Sequence, residues 1–445
     1  MSKKQTVQRR SRREFLGDSV GLISAAAVAN LPISRFAHAA GSDVFKVGLI
    51  GCGGRGSGAA VNAMNADPSV RLVAMTDIFA DRLESSLAAV KKQKGNQVAV
   101  DKDHAFVGFD GYQKVIDSGV DLVLIACASR FHPEYMKAAI DGGKHVFVEK
   151  PHAIDPAGLR LAEAAVEEAR KKGLCVASGL CYRYDLGMRE TIKRIHDGAI
   201  GEILAIEENY LRSPYRLVER PQGMPEIQYQ FYNWYHFTWL SGDDVPQSLI
   251  HNVDKAEWAI HEEPPVKAHG VGGRSAFPDP RLGNCFDHYA VVYQYANGMR
   301  MYAHGRTQPN CYYEVSDIFL GTKGRADLMK KRIEDLKGVV KWQYERPKNE
   351  PVMNDQEHKE LFDAIRQGRR IDDGLHMLRS TQVGLMAQIA VYTGQEVTWE
   401  QISKSTFKYP PTEGPCDFSI DPPVKPQADG SYPVPMPGIT KFQIS

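Results

Sequence analysis

The chain has 445 residues, 43% hydrophobic and 24% charged, the balance of a globular protein long enough for two domains. Lys and Arg number 55 against 54 Asp and Glu, a formal net charge of +1. With no basic arm or acidic tail, the chain offers nucleic acid no electrostatic footing. Its seven cysteines include no CxxC pair, and the odd count excludes a fully paired disulfide framework; most read as small buried apolar residues.

Lys3, Lys4, Arg9, Arg10, Arg12 and Arg13 make a basic start that contains Ser11-Arg12-Arg13-Glu14-Phe15-Leu16. A mildly apolar stretch from Gly17 to Ile33 follows, then the small-residue site Ala37-His38-Ala39-Ala40. This pattern predicts a cleaved twin-arginine signal over residues 1–40, hence export to the periplasm or the extracellular space through the twin-arginine machinery. Asp18, Asn30 and Pro32 argue against a membrane anchor.

From residue 43 short β-rich runs alternate with helical stretches. Phe45–Ile50 predicts a first strand, Ser57–Asn65 a helix, and Val70–Thr76 a second strand ending at Asp77. Asp121–Ala126 and His145–Val148 are continuous apolar runs of the buried parallel type, with helices over Pro133–Ile140 and Pro156–Lys172. The alternation predicts a doubly wound α/β Rossmann domain over 43–178. Beyond it, Phe286–Tyr295, Met299–Arg306 and Tyr313–Leu320 alternate polar with apolar, and Asn297-Gly298 reads as a hairpin turn. These predict a second α/β domain over 179–405 with an open, mostly antiparallel sheet, whose exposed face suggests a homo-oligomer. Helices over Asp355–Gln367 and Gly374–Tyr392 follow, and a proline-rich strap occupies 406–445.

Gly51-Cys52-Gly53-Gly54-Arg55-Gly56 follows the first strand, opens a helix, and is matched by an acidic residue at the end of the next strand. In such a loop Gly51 permits a tight turn, Gly53 lets backbone approach a pyrophosphate, and Gly56 lets helix and strand pack. The amides of the helix start face the phosphates. Asp77 is placed to accept the ribose hydroxyls and would repel a 2′-phosphate, so NAD is favoured over NADP.

Val148-Glu149-Lys150-Pro151 then sets a lysine at the ligand-binding edge of the sheet. Together with the glycine loop, Asp77, the Ala126–His132 loop before Pro133, and Gly198-Ala199-Ile200-Gly201-Glu202-Ile203, this step resembles the glucose–fructose oxidoreductase, inositol dehydrogenase and MocA (Gfo/Idh/MocA) family over residues 45–393. The resemblance implies hydride transfer between a nicotinamide and a sugar or cyclitol hydroxyl. It implies a catalytic or substrate-orienting Lys150, and cofactor contacts from Gly51, Gly53, Arg55, Gly56, Asp77, Ser129, His132 and Glu149. An ammonium beside a reacting C–O group stabilises developing alkoxide charge and can pass a proton.

Gln247–Trp258 has helical spacing, with Ile250, Val253 and Ala256 on one face and Gln247, His251, Asp254 and Trp258 on another. Family members carry an aspartate four residues before a histidine that serves as base or substrate ligand. His251 matches this pattern and Gln247 does not: an amide can orient a hydroxyl but cannot relay a proton. Tyr182, Arg183, Gln247 and Asp254 are the expected substrate contacts. The aromatic run Tyr232–Trp239 suits either sugar stacking or the core. No HExxH, CxxC or carboxylate cluster points to a metal.

An exported enzyme has no access to the cytoplasmic NAD pool. An NAD-dependent glycosidase, which oxidises, eliminates, hydrates and re-reduces on one tightly bound cofactor, is therefore an alternative, as is a non-catalytic sugar-binding protein on the same fold.

Overall fold

The computed structural model describes residues 44–275 and 282–442. The expected export signal lies outside them. Within the described part, two sheets carry the architecture.

The first sheet has six parallel strands: β1 (Phe45–Ile50), β2 (Val70–Asp77), β3 (Ala105–Val107), β4 (Leu122–Ile125), β5 (His145–Val148) and β6 (Val176–Ser178), in the order β3-β2-β1-β4-β5-β6. All four residues of β4 are buried, because helices cover both faces, which is what a continuous apolar run requires. The order reverses between β1 and β4, so a crevice opens at their carboxyl ends. The helices Gly54–Ala66, His132–Asp141 and Pro156–Lys172 lie within a residue or three of the expected bounds.

The second sheet has nine strands: β7 (Ile203–Arg212), β8 (Lys267–Gly273), β9 (His288–Gln294), β10 (Arg300–Thr307), β11 (Glu314–Gly321), β12 (Gly324–Asp327), β13 (Arg332–Asp335), β14 (Val340–Gln343) and β15 (Val397–Thr398). The order is β14-β13-β12-β11-β7-β10-β9-β8-β15, antiparallel throughout except where β10 runs parallel to β7. The β9–β10 hairpin turns at Asn297-Gly298: Gly298 takes a φ of +87°, and the Asn297 side chain accepts the Met299 amide at 3.0 Å. Burial alternates strictly along β9, one face packing on the helix Gly374–Thr393 and the other half-buried.

Two results depart from expectation. The helix Met353–Arg366 leaves the second sheet and packs back on Gly54–Ala66, placing Leu361 and Phe362 in one core with Phe45, Val47 and Leu49. The Phe45 and Phe362 rings meet edge-on at 5.1 Å. The nucleotide-binding core is thus completed from far downstream, across the boundary expected at 178. Second, Ile250–Ala259 is not amphipathic. Asn252, Asp254, Lys255 and Glu257 are all buried, because the helix is sandwiched between the sheet and Gly374–Thr393.

Among its described residues the strap forms no helix or strand after Lys404, but Tyr409 and Tyr432 are buried in the same core as β4 and β5. Cys52, Cys175, Cys181 and Cys285 are buried and unpaired.

Candidate active site

The glycine loop leaves β1 at the switch point. A side chain on Gly51, at φ +95°, would run into the Cys127 amide at 2.6 Å, and one on Gly56 would meet the Gly51 carbonyl at 1.9 Å. Gly53 has nothing within 4 Å of its would-be Cβ: the backbone there faces open space. Gly53 also caps Gly54–Ala66 without a side-chain bond and with no acidic residue in the first turn, so free amides point outward. They open on a crevice of about 490 Å³. Asp77 sits beside the loop. Its Oδ2 accepts the Cys52 amide at 2.7 Å and its Oδ1 the Phe79 amide at 3.0 Å. Burial raises its pKa against the pull of these two bonds. Each oxygen keeps a second lone pair toward the crevice. Bare amides, a backbone cradle without side chains and a carboxylate at the far end fit a dinucleotide.

Lys150 follows β5 at the same sheet edge, and its Nζ donates to the main-chain carbonyl of Gln247. That carbonyl belongs to a single π-helical turn, Val245–Leu249, which runs into Ile250–Ala259. One turn on is His251. Its Nδ1 is buried without a hydrogen-bond partner. Burial, then the charges of Lys150 and Lys255, hold its pKa well below the usual imidazole value, so the ring is neutral near pH 7. Tyr182 meets it edge-on at 5.2 Å, with the Lys255 ammonium 4.3 Å over the same phenol ring.

Several residues expected to contact cofactor or substrate have partners within the protein. Arg55 lines the crevice, but its Nε donates to Glu149 and its remaining reach goes to Asn62 and Glu357, so its charge is spent inside the protein. Glu149 in turn is 6% exposed and belongs to that ion pair. Ser129 is fully buried and accepts the Gln247 amide at 2.8 Å; Gln247 also donates to the Ser241 carbonyl at 2.6 Å. The Gln247 side-chain amide nitrogen therefore braces the loop after β4. His132, 1% exposed, has Nδ1 2.7 Å from the Pro151 carbonyl and Nε2 3.1 Å from that of Cys127, tying the lysine step to the same loop. Arg183 and Asp254 face each other: the guanidinium donates to both carboxylate oxygens and to Glu262, while Ser380 takes Asp254 from the other side.

The aromatic run divides. Phe237 and Trp239 belong to the core, whereas Tyr232, Trp234 and Tyr235 roof the crevice. Tyr235 is stacked between Trp234 (3.7 Å) and Tyr215 (3.9 Å), and the Arg212 guanidinium lies 3.8 Å over Tyr215. Arg212 and Tyr215 escaped the sequence reading, since nothing in their local pattern announces a cleft. Among the described residues no group of three or more His, Cys, Asp or Glu is arranged to hold a metal ion.

Residues 45–180 match the model of an oxidoreductase family, NAD-binding Rossmann fold. The chain is 25% identical to myo-inositol 2-dehydrogenase of Thermotoga maritima over 283 residues, 63% of this chain and 74% of that protein. It is 30% identical to inositol 2-dehydrogenase 3 of Saccharopolyspora erythraea over 219 residues, 49% of this chain and 54% of the other. Its fold matches scyllo-inositol dehydrogenase from Lactobacillus casei with bound NAD(H) and scyllo-inositol, at a TM-score of 0.60 and 20% identity, covering 80% of this chain and 99% of that one. The glycine loop and these likenesses agree: residues 45–180 are similar to the NAD-binding Rossmann domain of the Gfo/Idh/MocA oxidoreductases, and the chain is similar to inositol dehydrogenases beyond it.

Proposed function

We propose that the protein is an NAD-dependent dehydrogenase that transfers hydride between the nicotinamide and a CH–OH carbon of a sugar or cyclitol. The observation that carries this reading is a lysine ammonium at the carboxyl end of β5, held by the Gln247 carbonyl, with a neutral imidazole one helical turn beyond that carbonyl whose Nδ1 is unpartnered. Bound NAD would accept or return the hydride. Lys150 stabilises negative charge on the substrate oxygen, and His251 takes or gives the hydroxyl proton. Tyr182 sets the imidazole plane. Asp77 accepts the ribose hydroxyls and favours NAD over NADP. The inositol dehydrogenases among the relatives support a polyhydroxylated ring as substrate, and favour net redox chemistry over glycoside cleavage or mere sugar binding.

The test is NADH formation from NAD with a panel of inositols, aldoses and anhydrosugars. Release of the leaving group from aryl glycosides, with no NADH formed by any member of the panel, would replace this reading by the glycosidase one.

Two further proposals accompany it. The basic, twin-arginine start supports export, which fractionation of the expressing cell tests. Val271, Tyr302 and Leu320, exposed on the open face of the second sheet, support a homo-oligomer, which light scattering tests.

A further inference from the structure

We propose that Phe418, on the carboxyl-terminal strap, is a positioning residue that slows escape of the nucleotide from its crevice. The inference rests on the crevice being an NAD site and adds what fastens it. The crevice has a floor, the glycine loop with Asp77 to Phe79, and a roof, Tyr215 to Val218 with Phe231 to His236. Phe418 wedges between them. Its ring meets Phe79 of the floor at 5.4 Å, Phe231 of the roof at 5.5 Å and Phe109 at 4.9 Å, the last two edge-on. This ring ties floor to roof, so it restrains the separation of the two walls that would loosen a nucleotide held between them.

The wedge is itself held from both sides. Upstream, the Arg130 guanidinium donates to the successive carbonyls of Tyr409, Pro410 and Pro411. Downstream, Gln230 donates to the Val424 carbonyl at 2.6 Å, and the Tyr432 hydroxyl donates to Glu226 at 2.7 Å; both partners belong to the roof helix Glu226–Tyr232. The Asp417 carboxylate accepts the Ser419 amide at 2.8 Å, a local turn that presents Phe418 inward. Prolines restrict the unfolded strap and lower the entropy lost on docking it. The roof has its own ties to the first domain: Arg82 donates to the Tyr232 carbonyl, and the Tyr232 hydroxyl to Asp81. The L. casei structure is matched over 99% of its length yet covers 80% of this chain, so a fifth of this chain lies outside the shared fold.

The experiment loads the full-length protein with NADH, chases with excess NAD, and follows release by fluorescence. Phe418→Ala is expected to speed release roughly tenfold, with the dissociation constant rising in step because association is little affected. Phe418→Leu restores part of the delay, and Tyr432→Phe, which unlatches the strap away from the wedge, speeds release to a smaller extent. Far-UV circular dichroism and Tm of the variants stay near wild-type values, which a general loss of structure would not allow. Wild-type release rates in folded Phe418→Ala or Phe418→Leu protein would overturn the proposal. Failure of wild-type protein to bind either NAD or NADH by calorimetry would overturn the underlying reading of the crevice, a separate result.

Discussion

Lys150 and His251 on one side, and the charged side chains on the inner face of the second sheet on the other, meet different surroundings: the first two are half-buried, the others largely buried. Behind β7 and β11 the charges are cancelled. Lys255, fully buried, donates to Asp317 at 2.6 Å, and Glu208 beside them is pushed toward its neutral form by burial and by the Asp317 charge. Arg183 is matched to Asp254 and Glu262, and Arg212 to Asp244 and Ser248. At the sheet edge Lys150 has one carbonyl for company, and His251 has an unanswered nitrogen. Paired charges hold the second domain in register, whereas half-buried Lys150 and His251 are the groups proposed to exchange protons with a substrate.

Breaking the unpaired side has the largest effect. Lys150→Met is expected to lower kcat about a thousandfold while NAD affinity by calorimetry is retained. His251→Asn follows, at roughly a hundredfold in kcat. In the wild type, activity falls as pH drops through the depressed His251 pKa, because a protonated ring cannot accept the hydroxyl proton. In Lys150→Met the largest nearby charge is gone, so NMR titration places the His251 pKa higher.

Gly56→Ala attacks the cradle. Its methyl would lie on the Gly51 carbonyl, costing about 1–3 kcal/mol of stability in denaturant melts and abolishing NAD binding. Asp77→Asn should weaken NAD binding roughly tenfold and narrow its margin over NADP.

The smallest effect sharpens the paired side. Glu257 is fully buried, bonded by the Tyr295 hydroxyl at 2.7 Å, and its pKa is pushed up to about 8 by burial. A folded pKa above the unfolded value of about 4.3 adds stability below that value, lost as pH rises toward 8. Glu257→Gln should therefore raise Tm at pH 8.5 relative to wild type more than it does at pH 5. His152 and His358, lowered by burial to about 3, have the opposite sign: their contribution is present above about 6.5 and is lost as pH falls toward 3.

How much of this was legible in the chain depends on how local the cause is. Gly51, Gly56 and Asp77 could be read directly, because a tight turn, a helix start and a strand end are set by neighbouring residues. Lys150 was legible from its place after a buried strand. The partners of Arg55, Ser129, Arg183 and Asp254 were not, since each lies about 70 to 300 residues away or on another element, and spacing says nothing of what a side chain meets across the fold. The π turn at Val245–Leu249 also escaped: its sequence differs in no visible way from a helix, yet it presents the Gln247 carbonyl to Lys150.

The return of Met353–Arg366 to the first core bears on how such a protein can be engineered. A fragment ending near residue 180 would carry the entire phosphate-cradling signature and still leave Phe45 and its neighbours without their lid of Leu361 and Phe362. The nucleotide module is therefore no transplantable cassette: grafted onto another scaffold, it would need that distant helix supplied as well, or it would meet solvent with a greasy flank and clump.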